Sequence, residues 1–417
     1  MSASTASPLV EVPFGVIGEP RLLAGSSGAS VHYADHRRIH GAPVAMRQVE
    51  LEQLCAQVDL RGRGGAGFPV ADKLRSLRRG RRIVVVNASE SEPASHKDRL
   101  LLTTFPHLVI DGALTVATAI GAAEIRIVVH DRRCAATIEQ ALRGRVDGAA
   151  FRIDELPGGF VAGEARAIVR WLSGGPALPP GRRVPPTQHG VDGHPTFLSN
   201  AETYAQIAVL TGSGPAHYVS SGTAHEPGTT LLTIRGAVAR PGVFEVPLGI
   251  DLNSALAAAA ARPAAAVVIG GYHGSWISPT PDIRLSRTGL APHGATLGAG
   301  VVLVLDDTTC AAGELARVAS WLAGESARQC GPCRFGLPAL ANDLTAIVGG
   351  HRRAEPALRR RLDVVAGRGA CAHPDGAVRF IRSGMALLRY EIDRHLTYGG
   401  CGRPIVGQLP VARTAPR

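Results

Sequence analysis

Arg82–Asn87, RIVVVN, is a short run of apolar β-branched residues. That is the composition of a strand buried on both faces of a parallel sheet. The flanking segments extend the pattern outward. Residues 51–60, LEQLCAQVDL, have helical spacing and run into a Gly-rich loop at 62–67. On the other side, 107–121 reads as a helix, Glu124–His130 (EIRIVVH) as a second strand, and 134–143 as another helix. Strand alternating with helix predicts an α/β fold with a Rossmann-like sheet. A Pro/Gly/Arg-rich loop at 174–195 and a helix over 202–210 complete this part.

Composition shifts near 213–228. From Thr229 the chain reads strand, turn, strand (TTLLTIRGAV, ARPG, VFEVPLG), then an Ala-rich helix at 252–262 and a strand at 267–271. This is a β-grasp-like pattern, with Arg-Pro-Gly supplying the turn chemistry. After VVLVLD at 301–306, helical segments at 312–324, 335–348, 355–366 and 375–396 predict a C-terminal bundle. The expected division is an α/β domain over 1–215, a β-grasp domain over 222–295 and a helical domain over 305–417.

Composition narrows the function. With 417 residues, 45% hydrophobic and 19% charged, the chain can build several cores and is not disordered. No apolar run reaches the length of a membrane span, so direct membrane insertion is not expected. The start, MSASTASPLVEVPFG, lacks the basic and apolar segments of a signal peptide. Seven cysteines, an odd number, argue for free thiols and ligands rather than a disulfide framework. The net charge is +11, but the Arg residues are scattered and aromatics are only 4%, too few for a nucleic-acid stacking platform. A face for an acidic protein partner is the better use of that charge. Of 45 basic residues only two are lysine, Lys73 and Lys97. In so Arg-rich a chain, a retained lysine marks a place where the wide guanidinium does not fit.

Both lysines fall in motifs. The first motif is Arg61–Pro69, RGRGGAGFP. Its glycines let backbone amides approach an anion, and Lys73 follows within one helical turn. Taken alone, such a loop is as readily a tight turn. The second motif, NASESEPASHKDRLLL from Asn87 to Leu102, follows the RIVVVN strand. Asn87, Glu90 and Glu92 therefore sit at a strand's carboxyl end, where open α/β sheets bind ligands. The plain alternative is a capped, solvated helix start. A third motif is Cys330 and Cys333 in CGPCR, followed by Cys371 in GACAHPDGA. Soft thiolates so spaced suit an iron–sulfur cluster or zinc.

Taken together, these segments resemble the flavin- and NADH-binding subunit of respiratory complex I and its relatives in NAD-linked hydrogenases and formate dehydrogenases. Gly163-Glu164 stands where that family has Gly-Glu-Glu, and PTFLSNAET (Pro195–Thr203) resembles its Pro-Thr…Asn-Asn-x-Glu-Thr stretch. CGPCR resembles the end of its iron–sulfur motif, and RYEIDRHL (Arg389–Leu396) its C-terminal helix. The resemblance covers roughly 45–400, in family order. It implies an NADH dehydrogenase-type oxidoreductase subunit with FMN, NAD(H) as substrate and an iron–sulfur cluster. The family pattern places cofactor binding at Arg61, Gly62, Arg63, Gly64, Gly65, Ala66, Gly67, Phe68, Lys73, Asn87, Glu90, Glu92, Gly163, Glu164 and Asn200, and metal binding at Cys330, Cys333 and Cys371. It further implies a hetero-oligomer with a ferredoxin or thioredoxin-like Fe–S subunit, cytoplasmic or peripheral to the inner face of a membrane.

The chain departs from the pattern in places. The family's first cluster cysteine is Ala327, so three thiolates remain for a [4Fe–4S] or [3Fe–4S] cluster, and Ser326, His373, Cys401 or water are candidates for the fourth position. A Cys₃His zinc site of Cys330, Cys333, Cys371 and His373 is the alternative. Cys55, Cys134 and Cys310 read as small buried hydrophobes. Ser89, Ala165, Thr187 and Leu74 replace family carboxylates or aromatics. Each lost stacking ring costs about 0.5–1.5 kcal/mol. The sequence therefore points to a divergent paralogue in which FMN binding is better preserved than NADH binding. Two other classes stay open at this point, a flavoprotein without NADH chemistry and a non-catalytic, zinc-containing scaffold.

Overall fold

The computed structural model describes residues 12–26, 28–181 and 184–411. The first eleven residues, on which the signal-peptide reading mostly rests, and the outer limits 1 and 417 of the expected domains lie outside them. Ten strands among the described residues form two sheets: β1 (Phe14–Val16), β2 (Arg82–Ala88), β3 (Ala122–Val129), β4 (Phe151–Glu155), β5 (Thr196–Asn200), β6 (Thr229–Gly236), β7 (Gly242–Pro247), β8 (Ala266–Ile269), β9 (Ser275–Ile277) and β10 (Val301–Leu305).

The first sheet is parallel throughout, in the order β4-β3-β2-β5. Side chains alternate across β2. Val84 and Val86 pack with the helices Pro106–Ile120 and Ala201–Val219, while Ile83 and Val85 pack with Ile168 and Leu172 of Ala165–Leu172. Helices on both faces explain why RIVVVN has no polar alternation. From β2 the chain winds outward through β3 and β4, then returns to the other side of β2 as β5. The strand order therefore reverses between β2 and β5. Their carboxyl ends meet with Asn87 opposite Asn200 in register. A crevice at such a reversal is the usual ligand site of an open α/β sheet.

The second sheet runs β1-β7-β6-β10-β8-β9. The hairpin β6–β7, the helix Leu252–Ala258 and β8 form the β-grasp expected from sequence. Its central strand is β10, parallel to β6 and antiparallel to β8. All five residues of β10, VVLVL, are buried, in keeping with neighbours on both edges. β1 pairs with the otherwise open edge of β7. Both strands come from outside the 222–295 span, because register and burial, not chain proximity, choose sheet partners.

Five α-helices follow among the described residues: Ala311–Gly324, Leu337–Val348, Ala354–Val365, His373–Leu387 and Arg389–Tyr398. The single helix expected over 375–396 is two, broken at Leu388. The break lets the last helix bury Glu391, Ile392 and His395. Among the described residues no single helix is long and apolar enough to cross a membrane.

The helices flanking β2 touch at Gly112, where an added Cβ would come within 1.9 Å of the Tyr204 carbonyl oxygen. Backbone cannot swing aside as a side-chain tip can. Gly112→Ala is expected to lower the unfolding free energy by ~1–3 kcal/mol, read as an earlier urea midpoint. An unchanged midpoint would contradict this packing.

Candidate functional site

At the carboxyl ends of β2 and β5 lies a cavity of about 560 Å³. The Gly-rich loop forms one wall. It is pinched shut by Gly62 N–H to the Phe68 carbonyl at 2.9 Å and by Val70 N–H to the Leu60 carbonyl at 2.9 Å. Gly65 and Gly67 have φ of 101° and 60°, a region that favours glycine. The Arg63 N–H donates to Thr203 Oγ1 at 2.9 Å and fixes the loop to the start of Ala201–Val219.

Gly62, Gly64, Gly65, Ala66, Gly67, Phe68, Lys73, Asn87, Glu92, Gly163, Glu164 and Asn200 all line this cavity. Arg61, Arg63 and Glu90 do not. Arg61 braces the loop through Asp59 and the Gly67 carbonyl. The Arg63 guanidinium turns to the Thr229 carbonyl of β6. Glu90 accepts from Ser95 Oγ and from the Asp98 and Arg99 amides, so it caps the helix Lys97–Thr104. It faces a smaller neighbouring cavity of about 340 Å³. Burial, reinforced by the Asp98 carboxylate, raises its pKa to about 7.

The two lysines play different parts. Lys97 Nζ is buried among Asp98 at 2.9 Å, Asn200 Oδ1 at 2.6 Å and Glu202 at 3.1 Å. Asn200 in turn donates to Asp98 Oδ2 and to the Asn87 carbonyl, and accepts from Glu202 N–H, which fills its hydrogen-bonding capacity. Lys97 therefore holds in place Asn200, which lines the cavity. Lys73 Nζ, by contrast, donates to two neutral acceptors, the Leu198 carbonyl at 2.9 Å and Ser199 Oγ at 3.0 Å. No ion pair to Lys73 is found among the described residues, and burial lowers its pKa to about 8. A half-buried ammonium without a counter-charge is poised to receive an anion.

Asn87 Nδ2 holds the Gly163 carbonyl at 3.0 Å. A Cβ on Gly163 would come within 2.3 Å of Ser91 Oγ and 2.8 Å of Ser89 Oγ. Glu92 accepts the Tyr272 N–H at 2.8 Å and borders both cavities, with burial raising its pKa to about 7. Phe68 stands at the mouth, half exposed. Thr187 and Ser76, which stand where the family has aromatics, bond to each other at 3.1 Å and do not line the cavity.

Of the sequence motifs only GACAHPDGA reaches the opposite wall. That wall comes from the β-grasp loops (Gly270, His273, Thr296, Gly298, Ala299), from Phe160 and from the helical domain (Cys371, Ala372, His373, Arg379). His273 Nε2 and His373 Nδ1 lie 3.0 Å apart, and the Phe160 ring meets both edge-on. A Cβ on Gly376 would come within 2.3 Å of the His273 ring, a contact between domains that lies beyond any local pattern. His273 and His373 are both held neutral by burial, His373 at about 4.

Cys371 thus borders the cavity, and Cys330 and Cys371 both bear on the Cys333 thiol. With burial foremost, they push the Cys333 pKa up to about 12. The candidates for a fourth ligand separate. Both nitrogens of His373 are engaged, Nδ1 with His273 and Nε2 with the Leu322 carbonyl at 2.9 Å, and among the described residues no Cys₃His group is assembled around it. Cys401 lies elsewhere, grouped with Cys310. Ser326 Oγ sits 3.4 Å from the Cys333 carbonyl. Cys55 and Cys134 are buried thiols raised to about 12, as expected of small core residues. Cys310 is buried in the core as well, but its sulfur also lies 3.2 Å from His395 Nε2 in a polar cluster.

Residues 55–209 match the family model of the Nuo51 FMN-binding domain, and 313–395 match that of the NADH-ubiquinone oxidoreductase-F iron-sulfur binding region. The chain is similar to the F subunit of the NADH-quinone oxidoreductase of Streptomyces coelicolor, 30% identical over 86% of this chain and 85% of that one. It is 29% identical to the second such F subunit of Rhizobium meliloti, over 92% and 99%. A solved NAD+-reducing [NiFe]-hydrogenase in the air-oxidized state superposes with a TM-score of 0.82 at 28% identity, over 93% of this chain and 68% of that one.

The Lys97 arrangement makes a direct prediction. Lys97→Met leaves the buried Asp98 without its cation and Glu202 with only the more distant Arg63 guanidinium at 3.9 Å. A loss of ~3–5 kcal/mol in unfolding free energy is expected, measured by urea denaturation. A variant as stable as the parent would contradict it.

Proposed function

The chain belongs to the family of NADH-quinone oxidoreductase F subunits, and from that premise we propose that its central cavity binds FMN with the phosphate end at the Gly-rich loop and Lys73. It is an NADH dehydrogenase-type electron-transfer subunit of a larger assembly. When bound, FMN takes the hydride of NADH and a [4Fe–4S]-type cluster carries single electrons onward.

The residues suit the flavin. The cavity falls within the usual range for small-molecule sites, about 300–1,000 Å³. Glycines bring backbone close to it, and Lys73 offers a half-buried positive charge with no protein carboxylate to meet it among the described residues. That uncompensated cation is the observation that carries the reading. Asn87, Gly163 and Asn200 fix the floor, and Glu164 caps the helix that begins beside it. Phe68 at the mouth and Glu92 between the two cavities are positioned for the dinucleotide, with Glu90 acting through the helix it caps. Arg61 and Arg63 brace the glycines rather than touch ligand.

The donor set for the cluster also fits, one ligand short. Cys330, Cys333 and Cys371 supply three soft thiolates. Ser326, buried beside Cys333, is the side chain we assign to the remaining position. Three domains, close to 1–215, 222–295 and 305–417, divide these tasks, with strands β1 and β10 lent to the middle one. The +11 charge favours an acidic, ferredoxin-like or thioredoxin-like electron acceptor.

Anaerobic titration of the FMN-loaded protein with NADH is expected to bleach the flavin band near one NADH per flavin. A band indifferent to excess NADH would overturn the donor assignment. Lys73 gives a second prediction. An anion bound beside it raises its pKa above the free-site value of about 8, so binding takes up a proton above that pH. FMN affinity should hold below pH 8 and fall above it, by up to about tenfold per pH unit. Riboflavin, which has no phosphate, should show no such slope, nor should Lys73→Met with FMN. Equal slopes for all three would remove Lys73 from the phosphate site.

A further inference from the structure

Four side chains that electron transfer does not use meet in the C-terminal domain. Cys310 caps the helix Ala311–Gly324. Glu391 and His395 stand one turn apart on Arg389–Tyr398, and Cys401 follows the left-handed turn at Gly399 that ends it. One ligand atom from each lies within 4.8 Å of the other three, and all four residues are buried.

Each donor is already aimed. His395 Nδ1 is 2.8 Å from the Val348 carbonyl. A carbonyl only accepts, so Nδ1 carries the proton and Nε2 presents its lone pair to the cluster, 3.2 Å from Cys310 Sγ. This is how metal-binding imidazoles are commonly fixed. Glu391 Oε1 accepts the Ala312 N–H at 2.8 Å, and its other oxygen is paired with Arg403. Cys310 Sγ accepts the Gly313 N–H at 3.2 Å; burial raises the pKa of the free thiol, and a metal ion would displace its proton while that bond is kept.

We propose that Cys310, Glu391, His395 and Cys401 bind one Zn²⁺ in a closed structural site separate from the cluster thiols. Two thiolates, an imidazole and a carboxylate are the donor types zinc takes in tetrahedral sites. Donors held about 2.0–2.3 Å from one ion at tetrahedral angles lie about 3.3–3.8 Å apart, inside the 4.8 Å within which all four lie here. The charge balances as well. Two thiolates and a carboxylate against Zn²⁺ leave one negative charge, and Arg403 offsets it.

The site has a structural task. It ties two helices to the segment after Cys401, which runs on through hydrogen bonds from Cys310 N–H to the Pro404 carbonyl at 2.7 Å, from Gln408 N–H to Glu314 at 3.1 Å and from Tyr272 Oη to the Pro410 carbonyl at 2.6 Å. Pro410 and Val411 then wall the smaller cavity beside Glu90 and Glu92. The metal would hold this strap in place.

The test is metal analysis and zinc K-edge absorption on the full-length protein, purified anaerobically from zinc-supplemented cells. The expected result is about one zinc per chain, bound by two sulfurs at about 2.3 Å and two N/O donors at about 2.0–2.2 Å. Cys401→Ser and His395→Ala should lose most of the zinc and keep their iron, whereas Cys333→Ser should lose iron and keep zinc. Wild-type protein without zinc, and unable to take it up from added ZnCl₂, would overturn the proposal. So would zinc that leaves with Cys333→Ser, or a Cys310–Cys401 disulfide found by mass spectrometry in the same preparation. The wild-type measurements decide the matter even if a variant fails to fold.

Discussion

A single buried ammonium, that of Lys97, joins the parts of this molecule that must keep register. It neutralises Asp98 on the helix after β2 and Glu202 on the helix after β5. Glu202 also accepts from Thr230 Oγ1 and Leu231 N–H of β6, each at 3.0 Å and through its other oxygen, so the same carboxylate reaches the second sheet. Carboxylates buried this deeply are costly unless paired and bonded. Their satisfaction in only one arrangement fixes how the two sheets meet. The Gly-rich loop depends on that arrangement, because Thr203, to which it is tied, is the next residue along.

The cavity follows from this geometry. A parallel sheet that reverses its winding leaves a crevice between two strand ends, and the loops fill its rim. One wall is backbone amide and Lys73. The other is contributed by the β-grasp loops and by the cysteine-bearing domain, so Cys371 borders the same space as Phe68 and the glycines. Electrons leaving a flavin held there need cross only that wall. The neutral His273–His373 pair and the Phe160 ring pack tightly in the wall, which suits transfer of electrons without protons.

The fold is legible in sequence where the signal is local. RIVVVN reveals the buried strand because burial on both faces removes polar alternation. The glycines reveal the loop because positive φ at Gly65 and Gly67 admits little else. The scarcity of lysine points to two constrained positions, and both are constrained. It does not say that Lys97 is spent on internal carboxylates while Lys73 is left for a ligand, since that depends on which acidic groups the fold brings near. Contacts between domains are equally hidden. By chain order β10 falls between two domains, yet it is the centre of a sheet. His373 and Cys401 are spare ligands by spacing alone, but one is committed to His273 and Leu322 and the other to Cys310, His395 and Glu391. The pairing of Glu391 with His395 is present in RYEIDRHL as an i, i+4 spacing, whereas the cysteines that complete the group come from 310 and 401.

Direct passage of electrons from the flavin cavity to the thiols on its far wall is the central claim. Electron paramagnetic resonance of the anaerobically assembled protein, frozen after mixing with NADH, tests it most directly. NADH should change the cluster signal as the flavin band bleaches, and Cys371→Ser should abolish the signal change while bleaching persists. A wild-type protein whose flavin bleaches while its intact cluster stays oxidised would contradict it.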